Sequence, residues 1–293
     1  MQYISHIIIF AQQPPSNDNG ILKIDTVNGG TVTLLDTELP ESGTGGWRWV
    51  SGALALDGCI YFMPGRARRI LKFNPEDERA VSVGEDLVGG WGCKYAGTII
   101  GNDGYLYGIP YCSNRIVRFN PIDQSISLVG EEADVRFECD DGALGRDGYI
   151  YASSYDGRIG RLLKIDVANN IYSFVEHGIW AHSVGWGAPL LGNDGCIYWP
   201  PAAANRTLKF DPETHVASLV GDHFEDTSLK RMGEVVGPGG AIFYMPSTAI
   251  EILVENSKSK ILELYLPSLF VYFAKSDLIQ IVIPFRLRLH CTR

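Results

Sequence analysis

The sequence predicts an all-β fold of repeated four-stranded sheets, and three observations carry that prediction. Residues 97–130, GTIIGNDGYLYGIPYCSNRIVRFNPIDQSISLVG, recur in near-copies along most of the chain. Aligned on the glycine that opens each copy, Gly52, Gly97, Gly142, Gly187 and Gly233 are separated by 45, 45, 45 and 46 residues. Each copy divides at strand period into four short runs separated by turn residues. A constant period of this size with four strands apiece is the pattern of β-propeller blades. No helical period of useful length interrupts it.

Within residues 97–130 each element has a local cause. The first run, 97–101, ends at Asn102-Asp103-Gly104, residues that tolerate the positive φ of a tight hairpin. The second run, 105–111, is aromatic and β-branched and stops at Pro110, which cannot donate to a sheet ladder. Cys112-Ser113-Asn114 turns the chain into the third run, 115–119, and Asn120-Pro121 initiates the turn into the fourth, 125–129. The hairpin recurs as Asp57-Gly58, Asp147-Gly148, Asp194-Gly195 and Gly239-Gly240. Second strands read CIYFMP, YLYGIP, YIYASS, CIYWPP and AIFYMP, and third strands ILKFNP, IVRFNP, LLKIDV and TLKFDP.

The pattern G-x-DG-x-IY followed by N-R-I-V-x-F-[ND]-P, as in residues 114–121, resembles the NHL, SMP-30 and streptogramin-lyase group of β-propellers. It is also similar to a set of uncharacterised propeller-like repeat proteins of unicellular eukaryotes. The resemblance spans roughly residues 7–254 and is specific for blades, while propellers host many unrelated functions.

Blades are expected near 6–37, 52–84, 97–130, 142–176, 187–221 and 233–254, within a repeat region 1–256. The first lacks its opening strand, which the chain end is expected to supply, closing six blades; seven with a degenerate last blade is the alternative. After Val254 the sequence changes character. No glycine follows Gly240, and residues 257–293 carry six Lys/Arg against two Asp/Glu. A degenerate blade, a chain end unrelated to the repeats and a membrane span are the alternatives there. Glu263, Lys275 and Asp277 interrupt every long apolar window, so no membrane span is expected.

Composition narrows the function. A net charge of −9 over 293 residues, with no Lys/Arg run, argues against nucleic acid as a partner. Six cysteines without metal-type spacing imply neither a disulfide framework nor a zinc site, and favour a reducing, cytoplasmic setting. A monomer is expected.

The links between blades are the place for function, because they vary while the strands repeat. Three residues before the aligned glycine stand Trp49, Lys94, Cys139, Val184 and Lys230. With the nearby Arg48, Trp91, Asp140, Trp186 and Arg231, they make a candidate ring for a small polar or aromatic ligand, or a peptide. Each has a plainer role: recurring tryptophans pack between blades, and adjacent Asp140 and Asp141 on an extended strand point oppositely. His182, between Trp180 and Trp186, is a candidate general base, with Glu138 and Asp141 as further catalytic candidates.

The resemblance implies a test of enzyme function. Lactonase-type members hold a divalent metal with Glu, Asn and Asp, yet Asn102 and Asn193 lie in hairpins of the opposite face. Streptogramin-lyase-type members use a His with a metal-bound Glu, roles His182 and Glu138 could imitate without a surrounding motif. No phosphate loop, G-x-S-x-G or HExxH occurs. The expectation is therefore a scaffold presenting its links to a protein, peptide or small ligand, without cofactor. A lyase or lactonase dependent on a divalent metal is the alternative.

Overall fold

The computed structural model describes residues 6–12, 19–25, 32–40, 48–87, 92–134, 136–154, 160–179, 185–221, 223, 231–236, 242–246, 251–255 and 264–265. They form six antiparallel sheets in chain order. Sheet I holds β1 (His6–Gln12), β2 (Asn19–Asp25) and β3 (Val32–Leu35). Sheet II holds β4 (Trp49–Leu54), β5 (Ile60–Pro64), β6 (Ile70–Asn74) and β7 (Arg79–Val83). Sheet III follows with β8 (Tyr95–Ile100), β9 (Leu106–Pro110), β10 (Val117–Phe119) and β11 (Ile126–Leu128). Sheet IV is β12 (Cys139–Leu144), β13 (Tyr149–Ser154), β14 (Arg161–Asp166) and β15 (Ile171–Glu176). Sheet V is β16 (Leu190–Leu191), β17 (Ile197–Trp199), β18 (Thr207–Asp211) and β19 (Val216–Val220). Sheet VI is β20 (Arg231–Val236), β21 (Ile242–Pro246), β22 (Glu251–Glu255) and β23 (Leu264–Tyr265).

First strands of successive sheets lie side by side, β4 on β8, β8 on β12, β12 on β16 and β16 on β20, so they surround the central axis. Sheets then stack face to face around it. Second strands sit inside this stack, and β5, β9 and β17 are buried along their whole length, which is why IYFMP and LYGIP read as unbroken apolar runs. Fourth strands such as β7 alternate exposed and buried residues. The apolar clusters follow the same plan, each bridging two neighbouring sheets. Tyr61, Met63 and Ile70 of sheet II pack on Tyr95, Val117 and Phe119 of sheet III, and Tyr151 and Leu162 of sheet IV pack on Trp199 and Phe210 of sheet V.

Short β23 pairs with β22 and completes sheet VI. The strand expected to complete sheet I falls in the tail outside the described residues. Among the described residues no helix is long and apolar enough to cross a membrane.

Register corrects one alignment made from sequence. Gly52, Thr98, Gly142 and Glu234 stand opposite Phe62, Gly108, Ala152 and Tyr244, each four residues after its hairpin glycine. The equivalent of Gly52 is thus Thr98 rather than Gly97, and Glu234 rather than Gly233. The first-to-second-strand hairpins are equal in length, so the second strand carries a constant phase and the opening glycine drifts against it.

Candidate functional site

Each of the five first strands among the described residues is broken at the same place. Trp49 pairs with Pro64 and Gly52 with Phe62, leaving one extra residue on β4, and the same irregularity recurs at Tyr95/Gly97, Cys139/Gly142 and Arg231/Glu234. In sheet V the bridge between Trp186 and Pro201 precedes the pair Leu190 and Tyr198 with the same one-residue excess. An inserted residue bends a strand and re-aims its side chains, and such bulges concentrate beside active sites. The ring of bulges marks the end of the channel where links enter the first strands.

Second-to-third-strand loops lie on this same face and grip the links. Ala67 N donates to Arg48 O at 3.1 Å, Lys94 N to Gly65 O at 3.0 Å, Tyr111 N to Lys94 O at 2.8 Å and Glu138 N to Tyr111 O at 3.0 Å. The face is therefore built from links and loops together. Searching the links alone missed Arg66 and Tyr111; the signal was the departure of loops 64–69 and 110–116 from the strand repeat.

The candidate residues separate into interior and face. Trp49 is wholly buried and donates its indole N–H to Arg69 O at 2.9 Å; Trp186 does the same to Arg206 O at 3.0 Å. Both pack between sheets, as Tyr95 and Cys139 do at the equivalent bridge. Lys94 is buried, with Nζ donating to Ala67 O at 2.6 Å, and it holds the neighbouring loop. Arg48 is half-buried with its guanidinium 5.3 Å from the Trp49 ring centroid. Arg231 has its backbone in the bridge opposite Pro246. Trp91, His182 and Lys230 lie outside the described residues.

Blade IV supplies the acidic side. Glu138 is exposed and holds a left-handed φ of 51°, a conformation that costs a residue with a Cβ and recurs at functional sites. Asp141 Oδ1 accepts from Gly142 N at 2.7 Å, and Oδ2 lies 3.4 Å from Ser51 Oγ. Its carboxylate lies over Gly97: a Cβ there would stand 2.2 Å from Asp141 Oδ1, so glycine is required at this crossing. Asp140 bears electrostatically on Cys93 and Tyr111 of blade III. The expectation that Asp140 and Asp141 diverge assumed an extended strand; the bulge removes that alternation, and both carboxylates bear on blade III.

Tyr111 stands between the two blades, 36% exposed. Burial of its ring pushes the phenol up, and the charges of Cys112, Asp140, Glu138 and Cys93 push the same way, so it stays protonated at neutral pH. Arg66 is exposed at the tip of its loop, within electrostatic reach of Cys93. The face thus offers the carboxylates of Glu138, Asp140 and Asp141, a protonated phenol and an arginine. Among the described residues no three His, Cys, Asp or Glu side chains converge to hold a metal, and Asp141 already spends its oxygens on Gly142 and Ser51. Of the three donors considered for a metal, Glu138 and Asp141 are described and His182 lies outside the described residues.

His177 was also passed over. It lies just past β15, its ring 6.4 Å from that of Trp186, and Nδ1 accepts from Ile179 N at 3.3 Å.

No family model and no curated protein matches the chain. Solved structures do. A catalytically inactive His-to-Ala variant of virginiamycin B lyase from Staphylococcus aureus, with quinupristin, superposes with a TM-score of 0.68 at 16% identity, covering 90% of this chain and 86% of that one. A streptogramin B lyase superposes with a TM-score of 0.69 at 16% identity, covering 90% and 84%. The chain has the streptogramin-lyase propeller fold. The extracellular domain assigned to a hybrid two-component system of B. thetaiotaomicron matches at 0.62 and 11%, with 92% of this chain on 34% of that one. The expectation of a scaffold without chemistry does not stand against the lyase matches. The lyases aligned along nine tenths of the chain are enzymes, and at 16% identity they show its fold.

Proposed function

We propose that the protein is a lyase acting at the bulge-ring face, between blades III and IV. The observation that carries this reading is the placement of Glu138 and Asp140 around the protonated Tyr111, on a propeller whose lyase likenesses span 90% of the chain.

Elimination needs a base for the proton, an acid for the leaving group and a cation for developing negative charge. Glu138, exposed at the lip, is the base: its carboxylate takes the proton from a carbon beside a substrate carbonyl. That C–H electron pair forms a carbon–carbon double bond while the bond from the next carbon to its heteroatom leaving group breaks. Tyr111 gives the phenolic proton to the departing atom. Arg66 faces the carbonyl oxygen as charge accumulates there. Asp141 is a positioning residue, fixing the bulge across Gly97. His182 is the second base candidate, because the solved lyase was inactivated by replacing a histidine. The chemistry above uses this chain's own groups and routes no step through a metal.

The test is turnover of virginiamycin B and quinupristin by purified protein, followed by chromatography, beside Glu138→Gln, Tyr111→Phe and His182→Ala. Loss of a positioned acid or base lowers the rate roughly 100- to 10,000-fold. Turnover that falls this far in Glu138→Gln and Tyr111→Phe supports the assignment. Full activity in both variants overturns the residue roles, and no consumption of either compound overturns this substrate class.

A further inference from the structure

The two half-exposed cysteines of the described chain are neighbours at this face. Cys93 ends the link into β8 and Cys112 lies in the loop after β9; Cys112 N donates to Cys93 O at 3.0 Å. This bond sets the two residues side by side where link and loop meet, the placement a disulfide needs. Cys112 Sγ also turns toward the link, 3.6 Å from where a Cβ on Gly92 would stand. Cys59, Cys139 and Cys196, in contrast, are buried within their sheets.

We propose that Cys93 and Cys112 are a reversible dithiol–disulfide pair that bolts the link of blade III to its own loop at the mouth of the site, with a low-molecular-weight disulfide as oxidant. Cys112 reacts first. Its thiolate attacks one sulfur of the small disulfide, forming a mixed disulfide and expelling one small thiolate, which takes up the proton Cys112 gave away. The Cys93 thiolate then attacks Cys112 Sγ, the mixed bond breaks, and the second small thiolate leaves with the Cys93 proton. Two protein thiols are oxidised and one small disulfide is reduced to two thiols.

The order follows from the surroundings. Cys93 Sγ donates to Tyr95 O at 3.1 Å, and burial together with the neighbouring Cys112 pushes its thiol up to about 11, so Cys93 rests as a thiol. Once Cys112 is capped it can no longer ionise, so a Cys93 thiolate meets no second thiolate beside it. The bond adjoins Tyr111, so closing it fixes the backbone that carries the proposed acid.

The experiment is incubation of the full chain with oxidised glutathione, peptide mapping by mass spectrometry, and reversal by dithiothreitol. The expected result is a Cys93–Cys112 crosslinked peptide that dithiothreitol opens. The Cys93→Ser variant should stop at a glutathione adduct on Cys112, and Cys112→Ser should stay unmodified at Cys93. Differential alkylation of the unaltered chain tests the pair without any substitution: both thiols label before oxidation and neither after. A stable adduct on Cys112 in the unaltered chain, a crosslink to Cys291 instead, or no oxidation at all would each overturn the proposal.

Discussion

Glu138 and Trp49 show how neighbouring register positions divide between chemistry and packing. Trp49 begins the bulge of β4 and has no exposed surface, whereas Glu138 immediately precedes β12, one place before the equivalent position, and is exposed. Trp49→Ala should therefore cost about 3–5 kcal/mol in denaturant unfolding, as cavity-forming aromatic truncations do. A loss under about 1 kcal/mol would contradict a core role. Glu138 predicts the opposite pattern. Its left-handed φ of 51° suits glycine, so Glu138→Gly relieves a strain on the order of 1 kcal/mol and leaves the melting temperature unchanged or raised. Turnover should nevertheless fall roughly 100-fold or more if this carboxylate is the base. Stability lost together with activity would mark Glu138 as structural.

At the scale of one blade, the hairpin opposite the candidate site carries a repeated staple. Asp103 accepts from Tyr107 Oη at 2.8 Å, from Arg118 Nη2 at 3.0 Å and from Tyr105 N at 3.2 Å. Blade II repeats this with Asp57, Tyr61 and Lys72, and blade V with Asp194, Tyr198 and Lys209. In blade IV Tyr151 Oη still donates to Asp147 at 2.7 Å, while the register partner Lys164 lies 3.8 Å from the Tyr149 ring centroid. Tyr107→Phe should cost about 1 kcal/mol, one net hydrogen bond, while Asp103→Ala strands a hydroxyl and costs about 2–3 kcal/mol. Equal effects would contradict the shared-acceptor arrangement. Between blades, Thr98 Oγ1 donates to Ser51 O at 2.5 Å and accepts from Met63 N at 3.1 Å, tying β8 to sheet II. Thr98→Val keeps the shape and removes both bonds, for a loss of about 1–3 kcal/mol on thermal or denaturant unfolding.

Across the whole molecule, what was legible in sequence is what repeats in phase. The hairpin Asp-Gly, the tyrosine four residues after the Asp and the apolar second strand fixed the period, the sheet count and the hairpin face. The bulges were hidden because one extra residue in a first strand looks like a slightly longer hairpin, as at Gly97 and Gly187. Tyr111 and Arg66 were hidden because their loops are short and were treated as mere turns. Cooperation between blades also sets a pH dependence, centred on His177 at the seam of blades IV and V. His177 N bonds to Gly160 O at 2.9 Å, the ring packs on Gly160, and Nδ1 accepts from Ile179 N. Protonating Nδ1 would set two donors against each other in a half-buried place, and desolvation lowers this histidine from 6.5 to about 4. The folded group is thus neutral where the unfolded one is charged. Stability from His177 is complete above about pH 6.5 and is lost as pH falls toward about 4, at up to about 1.4 kcal/mol per pH unit. Asp194 acts in a lower window: held down to about 2 against its burial, chiefly by Lys209, it loses its contribution as pH falls from 3.8 toward 2. Melting curves of the unaltered chain and His177→Gln between pH 7 and about 4 separate the two, since only the histidine titrates across most of that range. The unaltered chain should lose melting temperature more steeply than the variant. Parallel curves would show that His177 binds its proton equally well folded and unfolded, and would remove the neutral imidazole from this account.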